Sequence, residues 1–229
     1  MNISANINIG FGVSATLSAE QSRTGRGIVA DQLFGHVQVW AADPESDALG
    51  LEDNFLSLLS GWPVLPPGYR KCFRGRHDLE TGNPTPLNFG PPPAKIASVN
   101  RYNAEGEAVL YLSGSLNGVG REFEDSGSIW AQEYLLPEGL RIADFRVERR
   151  DDLMSKVFWI TENAERGVAG YPYDFGQYIS HLVSGYFDGM AVPGVRGDST
   201  EHYFNIVVLN KVQEWQDWVS IEKNPTRIR

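Results

Sequence analysis

"NRYNAEGEAVLYLSGSLNGVGREFE", residues 100–124, sets Arg101 before a turn, Tyr111 on an apolar run, and Glu122 beyond a loop. The turn is "NAEG" and the apolar run is "EAVLYLS" (107–113), whose β-favouring residues predict a strand. "NGVGREFED" (117–125) predicts the start of a short helix, with Asn117 as its candidate cap. A strand that passes through a short loop into a short helix decides between classes, because the regions on either side repeat the mixture.

Upstream, "YRKCFRGR" (69–76) predicts a strand with positive charge at its end. Residues 78–100 are rich in Pro, Gly and Asn; loops of that length are uncommon in compact domains and often carry function. Downstream, strands are predicted over 129–136, 140–148, 188–195 and 202–210, and helices over 151–165 and 173–187. Residues 212–224 close the chain as a strand or short helix. Towards the N-terminus, 3–17 alternates apolar and other residues, 36–43 reads as a strand, and "LEDNFLSLLSGW" (51–62) reads as a helix ended by Gly61. "PVLPPG" (63–68) breaks regularity. The expected organisation is an N-terminal extension, 1–65, packed on a main domain, 66–229. Strands outnumber helices and the helices are short, so the class is α+β.

The 229 residues carry 41 % apolar and 11 % aromatic side chains, enough for a substantial core. A net charge of −9 and a pI near 4.9 argue against a nucleic-acid footprint, although an acidic chain can still hold an anion in a local arginine cluster. Cys72 is the single cysteine, so no internal disulfide can form; it reads as a small buried hydrophobe. His36, His77, His181 and His202 show no metal-ligand spacing, and no metal is expected. No apolar run is long enough for a membrane span and the N-terminus lacks a secretory pattern, so the expected location is cytoplasmic.

Taken singly, the polar residues have ordinary readings. Arg101 would be a solvated turn residue, Tyr111 a core filler, Glu122 a first-turn helix acid, and Arg74 and Arg76 charges on an edge strand. Together they combine cations, an aromatic face and one acid beside a long Pro-rich loop. Guanidinium groups hold phosphate oxygens, a tyrosine ring supports a planar heterocycle, and one carboxylate can stabilise an oxocarbenium-like sugar cation. NAD offers all three handles. No GxGxxG stretch follows a strand, so hydride transfer on a Rossmann domain is a poor reading. The residues themselves imply an anionic ligand and glycosidic chemistry, and go no further.

Several short motifs carry a resemblance: "RGR" at 74–76, "GPPPAKIASVNRYNAEG" at 90–106, "VLYLS" at 109–113, "REFE" at 121–124 and "GQYISHLVSGYFDGMAVPGVRGDSTEHYFNIVVL" at 176–209. Over about residues 69–210 the chain resembles the RES domain family, named for an Arg, a Glu and a Ser. The resemblance implies an ADP-ribosyltransferase-like fold of mixed and antiparallel sheets with short flanking helices. It also implies that NAD is consumed as a substrate, by hydrolysis, phosphorolysis or transfer of ADP-ribose to a protein. A toxin paired with an antitoxin or immunity protein would fit.

On this resemblance Arg74 and Arg101 would grip the pyrophosphate or ribose hydroxyls, with Arg76 beside them. Tyr111 would line the nicotinamide side, assisted by Tyr102. Glu122 would stabilise the ribosyl cation, and Gln177 and Asn205 would contact ligand or its neighbours. The expected catalytic set is therefore Arg101, Tyr111 and Glu122. One position departs: where the family has serine after proline, this chain has Gly194, with Ser199 five residues on. Two other readings follow, a catalytically impaired NAD- or ADP-ribose-binding module on the same fold and an unrelated α+β enzyme acting on glycans or nucleotides.

Overall fold

The structure is a computed structural model that describes residues 59–77, 84–123, 127–146, 173–194 and 203–229. The strands expected over 3–17 and 36–43, most of the helix over 51–62, the helix over 151–165, and Ser199 lie outside the described residues.

The described residues form one mixed sheet of eight strands with short helices, an α+β arrangement. In chain order the elements are β1 (Lys71–His77), β2 (Leu110–Ser113), α1 (Leu116–Glu122), β3 (Ile129–Leu135), β4 (Ile142–Asp144), α2 (Asp174–Ser184), β5 (Gly189–Pro193), β6 (Phe204–Val208), α3 (Trp215–Trp218), β7 (Ser220–Ile221) and β8 (Thr226–Arg227). The sheet order is β4-β5-β6-β2-β1-β3-β7, with β8 also on β3. Among the described strands, only β4 and β5 run parallel. No helix among the described residues is long and apolar enough to cross a membrane.

Strand alternation sorts the core onto two faces. Leu110 and Leu112 of β2 and Ile206 and Val208 of β6 join Cys72, Tyr134 and Trp215 on one face. Val207 of β6 and Met190 and Val192 of β5 face the other way, under Tyr178, Ile179, Leu182 and Val183 of α2. On the far half of that second face, α1 lays Val119 and Phe123 over Phe73, Ile129 and Ala131. Gly75 makes this packing possible: a Cβ there would lie 2.4 Å from the Phe123 ring and 2.5 Å from a Val119 methyl.

One expectation needs correction. The helix after β2 is capped by Ser115, whose hydroxyl accepts from the Gly118 N–H at 3.0 Å; Asn117 lies inside the helix. Glu122 consequently ends the helix instead of opening it. Leu59 and Leu65 are core residues, Val64 bridges Ala143, and the Leu65 N–H donates to the Ile142 carbonyl at 2.8 Å.

Candidate active site

β1 and β2 are in register only at Phe73 and Ser113, then part. A cleft of about 440 Å³ occupies the gap on the face between α1 and α2. Arg74, Arg76, Arg101, Tyr102, Tyr111, Glu122 and Asn205 all line it, so seven of the nine expected site residues meet in one place. A second cavity of about 320 Å³ adjoins it and shares Arg74, Arg76, Asn100 and Tyr111.

The cationic wall is built from a buried Arg74 and a half-buried Arg76. Arg74 is 8 % exposed and spans the parted strands, donating from Nη1 to the Tyr111 carbonyl at 2.9 Å. Its Nε has no hydrogen-bond partner among the described residues. Arg76 donates from Nη2 to the Gly90 carbonyl at 3.0 Å, which ties β1 to the Pro-rich loop. Neither guanidinium has a carboxylate partner among the described residues. Burial, and after it the charge of Arg76, pull Arg74 down to about 9; burial lowers Arg76 as well. At about 9, Arg74 remains a cation at neutral pH, and two adjacent guanidinium groups in a cleft wall can hold an anion.

Arg101 is 7 % exposed and is held by its neighbours' backbone. The Tyr111 hydroxyl accepts from the Tyr102 N–H at 3.2 Å and donates to Asn103 Oδ1 at 3.0 Å. From α2, Gln177 Nε2 donates to the carbonyls of Asn100 and Asn103 at 3.0 and 3.1 Å. Gly176 lets α2 come this close, since a Cβ there would stand 2.1 Å from the Arg101 carbonyl oxygen. Burial pushes the Tyr111 hydroxyl well above its ordinary range, and both its hydrogen-bonding functions are taken. Tyr111 therefore offers ligand its ring, not its proton. Gln177 does not line the cleft, and its amide braces the turn that carries Arg101.

Glu122 stands at the C-terminal end of α1, where the helix dipole disfavours an acid. Its Oε1 accepts from the Tyr203 hydroxyl at 2.7 Å and from Asn205 Nδ2 at 2.9 Å. Oε2 takes no hydrogen bond among the described residues, although the residue lines the cleft. Gly194 does not line the cleft; it lies beneath the Tyr203 ring. Cys72 is fully buried and burial pushes its thiol far up, which leaves it inert.

Sequence reasoning missed Ser113 and Tyr203. Ser113 is buried, lines the cleft and pairs with Asn205 across β2 and β6. Both carried the same signal: Ser113 is two residues from Tyr111, and Tyr203 two from Asn205, so alternation puts each on its partner's face. Compared with known proteins, the chain matches no family model and no curated sequence.

Proposed function

We propose that the chain is an NAD-consuming enzyme of the RES type, with an ADP-ribosyltransferase-like fold, that breaks the bond between nicotinamide and ribose. The observation that carries this reading is the meeting, in a single cleft, of Arg74 and Arg76, neither with a carboxylate partner among the described residues, with a tyrosine ring and one hydrogen-bonded carboxylate. Arg74, Arg76 and Arg101 hold the pyrophosphate. The cavities adjoining at the arginine pair suit a ligand whose anionic centre carries a ring system on each side, as NAD does. The Tyr111 ring supports the nicotinamide side. Glu122 stabilises positive charge that grows on the ribose as the bond breaks, an interaction strongest in the transition state. The ribosyl group passes to water, phosphate or a protein side chain. The biological setting that fits is a cytoplasmic toxin held in check by an antitoxin or immunity protein.

Release of free nicotinamide from NAD, with and without phosphate, tests the reading. Glu122→Gln keeps the shape and removes the charge, so kcat should fall roughly 10²–10³-fold while NAD affinity changes little. Wild-type protein that releases none at high concentration would exclude the enzyme. Gly194 favours a second reading, a module that binds NAD or ADP-ribose without turning it over. That module would show ligand-raised thermal stability, roughly 2.7 kcal/mol at 100 times Kd, and no nicotinamide.

A further inference from the structure

We infer that Tyr203 is the positioning residue for the Glu122 carboxylate, and that residue 194 is a glycine because the Tyr203 ring occupies the space a side chain there would fill. The kinetic part of this inference rests on the NAD-cleaving reading; the geometric part does not.

A carboxylate at the last position of a short helix is poorly oriented by the helix itself, since the final turn frays and the dipole opposes the charge. Here Glu122 Oε1 is fixed from the sheet, by the Tyr203 hydroxyl at 2.7 Å and Asn205 at 2.9 Å. The two donors are i and i+2 on the strand that leads into β6, so they reach the same face. The ring that carries the hydroxyl is only 4 % exposed. A Cβ at Gly194 would lie 2.5–2.7 Å from three of its carbons; one at Gly118 would meet the Ser113 hydroxyl first, at 2.1 Å, and two more ring carbons at 3.1–3.2 Å. The Arg121 guanidinium sits 5.2 Å from its centroid. A tyrosine confined on these sides presents its hydroxyl at one point. A side chain at 194 and the Tyr203 ring exclude each other, so the hydroxyl expected from a serine at 194 is replaced by one from the neighbouring strand. Held by Oε1, the carboxylate keeps Oε2 for the ligand.

Two measurements test this. The first needs no turnover: thermal unfolding of Tyr203→Phe, Glu122→Ala and the double variant. If the hydroxyl is used on Glu122, the two shifts in Tm should fail to add, whereas additive shifts would overturn the contact. The second is nicotinamide release. Tyr203→Phe keeps the ring and its packing, so the fold should stand, and kcat should fall about tenfold or more with KM within twofold. An unchanged kcat would reduce Tyr203 to a packing residue and overturn the inference. If wild-type protein releases no nicotinamide, the NAD reading has failed, and the thermal cycle still decides whether Tyr203 holds Glu122.

Discussion

Beyond β4, the Arg146 guanidinium lies 3.8 Å from the centroid of Tyr69 and 4.6 Å from that of Phe204, with Asp144 gripping it through two bonds of 2.8 Å. Across the sheet on β1, Arg74 is more deeply placed yet meets one carbonyl among the described residues, with Arg76 as its charged neighbour. Burial would lower Arg146, and the bonds and charge of Asp144 outweigh it and raise the group; Arg74, without such a partner, is drawn down to about 9. A third arginine, Arg70, shows that a missing carboxylate alone is not the criterion. It meets three carbonyls, those of Leu65, Pro137 and Leu140, and works as a clamp between segments. Arg146 is neutralised by the fold, Arg70 is tied through both terminal nitrogens to backbone carbonyls, and Arg74 is left with charge and donor capacity facing a cleft. On the proposed function, an anionic ligand would complete this buried cation.

This comparison is strongest at Asp144. Asp144→Ala strands the Arg146 charge among aromatic rings and should destabilise the fold by about 3–5 kcal/mol, measured by denaturant unfolding. Folded Asp144→Ala protein should still bind NAD. Arg74→Gln should do the opposite. NAD affinity should drop by about 2–3 kcal/mol in calorimetry, while Tm stays level or rises because an unpaired buried charge has gone. A loss of stability larger than the loss of affinity would make Arg74 another Arg70.

Gly176→Ala lies between these extremes. Alanine would gain roughly 1 kcal/mol of helix propensity, but its Cβ meets the Arg101 backbone at 2.1 Å and cannot be accommodated by a side-chain rotation. The net effect should be a destabilisation of about 1–3 kcal/mol together with weaker NAD binding as Arg101 shifts. Unchanged affinity would show that the brace from α2 is not needed by the site.

The smallest effect is in pH. Between about 9 and its ordinary value, Arg74 is neutral in the folded protein and charged in the unfolded one. The unfolded state then binds more protons, so the stability linked to this residue rises with pH across that window. Anion affinity moves the other way: level below pH 8, then weaker by up to about tenfold per unit above 9, with a proton taken up on binding. Affinity that is flat to pH 10 would remove Arg74 from the anion site.

Local pattern made much of this visible. Alternation places Tyr111, and two residues on Ser113, on one face of β2, and "RGR" sets two cations on one pleat of β1 with a glycine between. Arg101 beside a turn and Glu122 on a short helix were equally open to reading. The helix start was misjudged because Ser115 and Asn117 are both good caps two residues apart. What separates them is where β2 stops, and that depends on its pairing with β1 and β6.

Sequence alone determined which side chains share a face and roughly where strands and helices lie, because periods of two and 3.6 follow from backbone geometry within a few residues. It did not determine that β2 would sit between β1 and β6, that β1 and β2 would part after Phe73 and Ser113, or that the gap would hold Arg74. Nor did it reveal that Gly194 and Tyr203 are one packing unit, or that Glu122 would be held by residues 81 and 83 positions away. Those outcomes rest on strand order and close contact between distant segments. Their free energy comes from the packed core and carries no signature in any short window of the chain.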